Sequence, residues 1–172
     1  MAHIHTLSGQ HDFTVSVYIV RQFDDIDWRI ALHVHKKHNS LLPFGGHIEL
    51  DETPWQAVAR ELKEESGYDM SSLSIVLSKP KLGLVGCDEH FVPFSVNTHA
   101  VPGDVPHYHT DLTYAFVAKE EPTNAIADDE SSDIRWLSLQ EVEELSEKEI
   151  YQDARQLSVY VLQSVQNMPA QI

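Results

Sequence analysis

Apolar and polar residues alternate along two stretches in the first quarter of the chain. Residues 13–19 carry Phe, Val, Val and Ile at every second position, and residues 30–34 carry Ile, Leu and Val in the same way. A period of two places these apolar side chains on one face of an extended chain, which is typical of a half-buried β-strand. Shorter runs predict further strands at residues 73–77, 91–97, 112–118 and 135–137.

A helix is predicted after the first strands. Thr53 can cap this helix, Pro54 suits its first position, and Gln56 completes a capping box with Thr53. Gly67 suits the end of the helix, because glycine readily adopts the left-handed backbone conformation found there. Between these ends, apolar residues recur at helical spacing as one stripe, which consists of Trp55, Val58, Ala59 and Leu62.

Two more capping boxes predict two helices near the C-terminus. Ser138 with Glu141 begins a helix that extends to about residue 145, and Ser146 with Glu149 begins one that extends to about residue 166. The apolar face of the second consists of Ile150, Ala154, Leu157, Val161 and Val165. Strands and helices mix here without a regular β–α–β alternation. The pattern therefore favours an α/β fold in which a mixed sheet is flanked by helices.

Composition indicates one globular domain. The 172 residues are 42% hydrophobic and 23% charged, which is near the average of folded proteins, and the length suits a single domain. We expect an N-terminal tail at residues 1–11, one domain at residues 12–167 and a C-terminal tail at residues 168–172. The single cysteine, Cys87, excludes an intrachain disulfide and a cysteine-built zinc site.

Charge narrows the range of partners. Lys and Arg number 12 against 27 Asp and Glu, so the formal net charge is −15. This charge disfavours binding to nucleic acid or to an anionic membrane. No apolar run approaches the roughly 20 residues of a membrane-spanning helix, and the N-terminus has no hydrophobic signal region, so a cytoplasmic protein is expected. A phosphate ester would need a metal cation to bind an acidic site on this protein.

Three glutamates share one side of the first predicted helix. Glu61, Glu64 and Glu65 stand at positions i, i+3 and i+4, so they occupy one sector next to the apolar stripe. Their mutual repulsion raises their pKa values. Arg60 can relieve part of it, and a divalent cation would relieve more. Carboxylate oxygens suit Mg²⁺ or Mn²⁺. The alternative is a solvated helix face, since glutamate-rich helix surfaces are common.

The residues around these glutamates stand at fixed offsets. The stretch from residue 46 to residue 68 resembles the Nudix box, Gly-x5-Glu-x7-Arg-Glu-U-x-Glu-Glu-x-Gly-U, in which U is a bulky aliphatic residue. It matches the box at Gly46, Glu52, Arg60, Glu61, Leu62, Glu64, Glu65 and Gly67. Two positions depart from the pattern. Tyr68 is bulky but aromatic, and Phe44 stands where many Nudix proteins carry proline before the glycine pair.

The resemblance implies both a fold and an activity. The fold is the Nudix-type α/β/α sandwich with a mixed β-sheet. The activity is hydrolysis of the diphosphate linkage in nucleoside diphosphates that are linked to another moiety, with Mg²⁺ or Mn²⁺ as the cofactor. The expected partner is a small nucleotide or nucleotide derivative, and the protein is expected to be a monomer or a homodimer.

The resemblance also implies roles for residues of the box. Glu61 and Glu65 are the expected metal ligands, and Glu64 supports them or shares the metal. Glu61 is the first candidate for the general base, although Nudix proteins differ in which carboxylate has this role. Arg60 orients the carboxylate cluster.

Residues at the edges of the box have expected roles too. The backbone carbonyl of Gly45 or Gly46 is a candidate metal ligand, and the glycines allow close approach to phosphate. Glu52 is expected to pin the loop before the helix or to reach a metal through water, and Gly67 to end the helix. Several Nudix hydrolases carry an extra Glu six residues before a Trp. Glu130 stands six residues before the tryptophan at position 136, so we expect it to supply a metal ligand from outside the box, with a solvated acidic loop as the alternative.

Eleven histidines include three His-x-His pairs, which are His3/His5, His33/His35 and His107/His109. Positions i and i+2 of a strand face the same side, so each pair can chelate zinc. No third ligand stands near any pair in the sequence, however, which favours structural roles. Together with Asp111, the pair at 107 and 109 resembles a His-x-His-x-Asp segment of many Nudix proteins. We expect His107, His109 and Asp111 to bind substrate, with structural hydrogen bonding as the alternative.

Two other functions are compatible with the same fold. The first is a nucleotide-sensing domain that does not hydrolyse its ligand. Such domains commonly lose box carboxylates, whereas this chain keeps them all. The second is an enzyme similar to isopentenyl-diphosphate isomerase, for which Cys87 offers weak support. The sequence does not select a substrate among nucleoside triphosphates, oxidised nucleotides, ADP-ribose and nucleotide sugars.

Overall fold

A computed structural model describes residues 6–76 and 79–168. The strands are β1 (His11–Gln22), β2 (Trp28–His35), β3 (Ser40–Leu42), β4 (Phe44–His47), β5 (Leu73–Ile75), β6 (Ser95–Val101), β7 (His107–Ala118) and β8 (Ile134–Ser138). The helices are α1 (Pro54–Glu61), α2 (Leu139–Glu144) and α3 (Gln152–Gln166), with a π-helical turn at Leu62–Ser66 and a 3₁₀ turn at Met70–Ser72. None of the helices among the described residues is long and apolar enough to cross a membrane.

The strands within the described residues form one mixed sheet around β1 and β7. These two long strands pair in parallel over residues 11–21 and 108–118, whereas the other pairings are antiparallel. The strand order is β3-β2-β1-β7-β5, and β4, β6 and β8 pair with β1, β7 and β2 respectively. The predicted mixed sheet is confirmed.

Helices cover both faces of the sheet. One core lies between the sheet and α1, and it includes Val17 of β1 and Val58 of α1. The other lies between the sheet and the two C-terminal helices, and it includes Tyr18 of β1 and Val161 of α3. Neighbouring residues of β1 belong to different cores because side chains alternate between the faces of a strand. The α/β/α sandwich is therefore confirmed.

The boundaries of two predicted strands were wrong. The strand expected at residues 112–118 begins at His107, and the strand expected at residues 91–97 is Ser95–Val101. The two form a hairpin in which His107 pairs with Val101 and Thr113 pairs with Ser95. Pairing across the hairpin, which the local pattern does not show, sets both boundaries.

The start of the last helix was also wrong. The Ser146 amide donates to the Glu149 carboxylate as the box requires, but the Ser146 hydroxyl donates to the same carboxylate, and the Glu149 amide donates to the Ser146 carbonyl. These bonds close a single turn, and α3 begins only at Gln152. Between them, Ile150 makes a β-bridge with Leu41 and is buried. Burial of Ile150 against the sheet interrupts the helix that the capping box predicted.

Candidate active site

Helix α1 begins as the sequence predicts. The Thr53 hydroxyl accepts a hydrogen bond from the Gln56 amide, and the Gln56 side chain accepts one from the Thr53 amide, so the capping box is complete. The helix ends differently, because after Glu61 it widens into the π turn, which Gly67 closes with a left-handed φ of 72°. A Cβ at this position would overlap the carbonyl oxygen of Asn124, so the position requires glycine.

The three glutamates do not share one environment. Glu61 and Glu65 are buried, with 8% and 4% of their surface exposed, whereas about half of the Glu64 side chain is exposed. π turns are rare and are frequent at functional sites. Here the turn accompanies a cluster in which two carboxylates lie inside the protein and the third lies at its rim.

Arg60 connects the carboxylates and the preceding loop. Its guanidinium donates to both oxygens of Glu52 at 2.8 and 2.9 Å, to Oε1 of Glu61 at 2.6 Å and to the carbonyl of His47 at 3.0 Å. Nη1 of Arg60 also lies 3.5 Å from the Glu64 carboxylate. These hydrogen bonds raise the pKa of Arg60 and lower that of Glu52. Arg60 is therefore held as a cation that fixes the orientation of its neighbours.

The glycine pair in β4 lies directly against the buried carboxylates. The Gly45 amide donates to Oε2 of Glu65 at 2.7 Å. A Cβ on Gly46 would lie 2.5 Å from Oε1 of Glu61. A side chain at position 46 would overlap this carboxylate, so glycine lets Glu61 lie against the backbone of β4. This close contact between β4 and the helix is called the cradle below.

Burial changes the protonation of the two inner carboxyls. It raises the pKa of Glu65 to about 9, and repulsion from Glu61 and Glu130 adds to the effect while the Gly45 amide opposes it. Burial likewise raises the pKa of Glu61, although Arg60 acts in the opposite direction. Without a cation, Glu65 is therefore protonated at neutral pH, because burial disfavours its charged form.

The structure brings Glu130 to this cluster. Its charge contributes to raising the pKa values of both Glu61 and Glu65, and its side chain also hydrogen-bonds with Glu65. The loop that carries it is fastened to the end of the helix, since the Ala127 amide donates to the Glu64 carbonyl at 2.8 Å and the Asn124 side chain donates to a backbone carbonyl of the same turn. A residue 65 positions away in the sequence thus adjoins the box carboxylates.

His33 adjoins the cluster from β2, and the sequence did not indicate this. It is buried, its Nε2 lies 3.9 Å from Oε2 of Glu65, and its Nδ1 has no hydrogen-bond partner. Burial lowers the pKa of His33 to about 4. Because Glu65 favours its protonated form and His33 its neutral form, the two are not an ion pair at neutral pH. Alternation along β2 places His33 on the face opposite Ile30 and Leu32, and the sequence did not show that this face is buried as well.

The other predicted binding residues lie on the opposite face of the sheet. Asp111 is buried and accepts hydrogen bonds from the hydroxyls of Thr14, Ser16 and Thr113 at 2.8–3.0 Å. Burial raises its pKa. These bonds tie β7 to β1, which agrees with the structural alternative, while a role for Asp111 in substrate binding stays a prediction.

His107 and His109 meet a third histidine on that face. Nε2 of His109 lies 3.1 Å from Nε2 of His107 and 3.2 Å from Nε2 of His47, which β4 contributes. Oδ2 of the buried Asp12 lies 3.5 Å from Nε2 of His47. Burial, together with the neighbouring histidines, lowers the pKa of His109 to about 4. The sequence showed the pair but not His47, which reaches the pair across β1.

The remaining candidates stay apart from both clusters. His35 accepts hydrogen bonds from the amides of residues 37 and 38, so it caps the loop after β2. Cys87 is exposed. The pair His3/His5 lies outside the described residues. Within the described part of the chain, one group of three or more potential metal ligands converges within 4.8 Å, and it is the histidine cluster.

Comparisons with known proteins agree with this geometry. A sequence profile of the NUDIX domain matches residues 11–159. No curated protein matches the sequence. The fold is similar to that of a NUDIX family hydrolase from Clostridium perfringens, with 27% identity and a TM-score of 0.71 over 90% of this chain and 97% of that one.

Two more distant structures share the fold. An Ap4A hydrolase from C. elegans is 15% identical with a TM-score of 0.56, over 90% of this chain and 95% of that one. A dihydroneopterin triphosphate pyrophosphohydrolase from E. coli is 14% identical with a TM-score of 0.57, over 88% and 94%. The profile match covers most of the chain, and the box it contains is complete in sequence and assembled in the structure, so the chain belongs to the Nudix hydrolase family.

Proposed function

We propose that the protein catalyses metal-dependent hydrolysis of a diphosphate linkage in a nucleoside diphosphate that is linked to another moiety. The observation that carries this proposal is the cluster of Glu61, Glu65 and Glu130 against the glycine pair of β4. The names of the C. elegans and E. coli neighbours, an Ap4A hydrolase and a triphosphate pyrophosphohydrolase, are compatible with this class of substrate.

The donor set fits a hard divalent cation. The ligand candidates are the carboxylates of Glu61, Glu64, Glu65 and Glu130, together with the Gly46 carbonyl. All are oxygen donors, which Mg²⁺ and Mn²⁺ prefer. Glu65 is protonated at neutral pH when no cation is bound, and it would release its proton on binding one. When bound, the metal would neutralise the diphosphate and acidify a water molecule.

The side chains around this site would have different roles in the reaction. Arg60 holds Oε1 of Glu61 and keeps the carboxylate turned to the cradle. Glu61 is the candidate general base, and it would take the proton of the attacking water at Oε2, the oxygen to which Arg60 does not donate. Its raised pKa brings it closer to neutrality, where general bases work best. Glu52 acts through Arg60 as a positioning residue.

The experiment is a hydrolysis screen with the purified chain. Nucleoside triphosphates, dinucleoside polyphosphates, ADP-ribose and nucleotide sugars are incubated with Mg²⁺ or Mn²⁺. The nucleotide products are separated and measured by chromatography, and released pyrophosphate is also measured for the triphosphates. We expect activity on at least one class, and EDTA should abolish it. Activity that persists unchanged in EDTA would contradict the proposal, and so would the absence of hydrolysis when binding of a nucleotide is detected, which is the behaviour of a sensor.

Glu65→Gln tests the cluster itself. The substitution removes the carboxylate that would ionise on binding a cation, and it leaves the side-chain volume unchanged. We therefore expect kcat to fall at least about 100-fold, since even residues that only support metal ligands account for 10- to 100-fold. Glu143→Gln, at an exposed position of α2, makes the same change away from the cluster and should retain wild-type kcat. Equal kcat values for the two variants would sink the assignment.

A further inference from the structure

The histidine cluster on the far side of the sheet brings three imidazole Nε2 atoms together. Nδ1 of His107 lies 2.7 Å from the carbonyl oxygen of Val105, which can only accept, so this nitrogen carries the hydrogen. In the neutral ring, Nε2 of His107 therefore presents its lone pair to Nε2 of His109, 3.1 Å away. A lone pair that faces its neighbours in this way is available to a cation.

We propose that His47, His107 and His109 bind a divalent transition-metal ion of the Zn²⁺ type, with Asp12 beside them as the fourth ligand. A cation at the point where the three Nε2 atoms converge would satisfy all of their lone pairs at once. This site is separate from the carboxylate cluster, and the proposal does not depend on the proposed hydrolysis.

The distances suit a tetrahedral ion. Nitrogen ligands lie about 2.0–2.1 Å from zinc, which puts two ligands of a tetrahedron roughly 3.3 Å apart. The Nε2 atom of His109 lies 3.1 and 3.2 Å from the other two Nε2 atoms, and the three lie within 4.8 Å of one another. Asp12 presents Oδ2 to His47 while its Oδ1 accepts from the Phe13 amide. Asp12 lies outside the group that converges within 4.8 Å, so its carboxylate must turn toward the ion to complete the site.

The ligand type distinguishes this site from the box. Imidazole nitrogen suits Zn²⁺, Cu²⁺ and Ni²⁺, whereas Mg²⁺ and Mn²⁺ prefer carboxylate oxygen. The carbonyl of Val105 accepts from Nδ1 and so fixes the tautomer of His107. A metal-binding histidine usually donates its second ring N–H to such an acceptor. The burial of His107 and Asp12 further pre-forms the site, because only 4% and 5% of their surfaces are exposed.

His47 links the ion to the region of the box. Its imidazole belongs to the cluster, its carbonyl accepts a hydrogen bond from Arg60 at 3.0 Å, and its neighbour in β4 is Gly46. The histidine cluster joins three strands, because His47 comes from β4, His107 and His109 come from β7, and Asp12 comes from β1 between them. An ion there would fix the strand that carries the glycine pair.

The test is zinc binding by the full chain after treatment with EDTA. Zn²⁺ is titrated in competition with a chromophoric chelator, and Co²⁺ is used as a spectroscopic probe of the ligand geometry. We expect one competing site per chain, the visible absorption of tetrahedral Co²⁺, and no displacement by excess Mg²⁺. Absence of a competing site in the wild type, or Co²⁺ absorption of an octahedral ion alone, would overturn the proposal without any variant being needed.

Variants locate the site. His47→Asn and His109→Asn should each lower zinc affinity at least about 100-fold, since loss of a ligand costs more than loss of its supporting group. His99→Asn is the matched control, because His99 is exposed and its ring centroid lies 5.4 Å from that of His109 outside the converging group. A His3→Asn/His5→Asn double variant controls for binding by the N-terminal pair. Both controls should retain wild-type affinity.

The zinc site and the proposed hydrolysis can be contradicted independently of each other. Glu65→Gln should keep the zinc affinity of the wild type, whatever its effect on hydrolysis. Equal losses in His99→Asn and His109→Asn, or unchanged affinity in His47→Asn, would overturn the zinc site. Stabilisation of the wild type by inorganic phosphate but not by Zn²⁺, with loss of that effect in His109→Asn, would also overturn it and would identify an anion site instead.

Discussion

At the scale of single residues, the two glycines of β4 serve different needs. Gly45 has a φ of 137°, and a Cβ there would overlap the backbone of Val15 in the neighbouring strand. The backbone of Gly46 is not in the left-handed region, and a Cβ there meets the end of the flexible Glu61 side chain. The first glycine is thus required by the sheet and the second by the carboxylate.

Alanine substitutions should separate these needs. Gly45→Ala combines a strained φ with a clash against backbone, so we expect a loss of about 2–3 kcal/mol in the free energy of unfolding. Gly46→Ala should cost less stability but displace Glu61, and a displacement of about 1 Å can reduce kcat about 100-fold. Urea denaturation and steady-state kinetics measure the two effects. A larger stability loss for Gly46→Ala than for Gly45→Ala would contradict this explanation.

Glu130 and Asp128 provide a second contrast at this scale. Both belong to the same acidic loop, but the charge of Glu130 is the one that affects Glu61 and Glu65. We expect Glu130→Gln to weaken the response to Mg²⁺ and to lower kcat, while Asp128→Asn does much less. A Mg²⁺ titration of hydrolysis by each variant checks this. Similar behaviour of the two variants, or a wild-type response in Glu130→Gln, would remove Glu130 from the ligand set.

At the scale of elements, the π turn after α1 depends on a buried hydroxyl. Ser66 donates to the Leu62 carbonyl at 2.5 Å and accepts from the Tyr68 amide at 3.3 Å, and only 1% of its surface is exposed. The hydroxyl of Ser164 in α3 makes a similar bond to the Tyr160 carbonyl at 2.7 Å, but in an exposed position. The same hydrogen bond, from a serine hydroxyl to the carbonyl four residues earlier, is therefore buried at Ser66 and exposed at Ser164.

Ser66→Ala should destabilise the protein, whereas Ser164→Ala should not. Loss of a buried hydroxyl leaves the Tyr68 amide without this acceptor, which costs about 1–3 kcal/mol. At the exposed site water replaces the bond and alanine favours the helix, so the change should stay within about 0.5 kcal/mol. Urea midpoints at an unchanged m-value give both numbers. Equal midpoints for the two variants would show that the π turn does not need Ser66.

The sequence predicts elements better than it predicts their limits. Capping at Thr53 and Ser138 is local chemistry, and both helices begin where expected. The start of β7 at His107 depends on pairing with β1 and β6, and the start of α3 depends on the bridge made by Ile150. These are contacts between distant segments, which local periodicity does not contain.

The same distinction applies to the candidate site. The box residues lie within 23 consecutive positions and could be identified as a pattern. Glu130 could be proposed only from the resemblance, because it reaches the box through a loop. His33 and His47 were missed, since each reaches its cluster from a strand whose neighbours in space are distant in the sequence. Contacts across the sheet therefore complete both clusters.

At the scale of the whole molecule, negative charge is in excess along the chain, and acidic groups are also concentrated near α1. The chain has a net charge of −15, and near α1 burial, to which repulsion between neighbouring carboxylates adds, raises the pKa values of Glu61 and Glu65. Ordinary salt screens the general repulsion between exposed charges, but it screens buried groups much less. A cation that binds among the buried carboxylates would therefore stabilise the fold beyond what screening provides.

Divalent cations should raise the melting temperature of the protein. At a Mg²⁺ concentration about 100 times the dissociation constant, binding to the folded state contributes about 2.7 kcal/mol, which corresponds to roughly 5–10 °C for a chain of this size. Differential scanning calorimetry in MgCl₂, compared with NaCl at equal ionic strength, separates binding from screening. Glu65→Gln should lose the Mg²⁺-specific part, while Glu143→Gln should keep it. If MgCl₂ and NaCl have the same effect on the wild type, or if Glu65→Gln responds like Glu143→Gln, the buried carboxylates do not form the metal site.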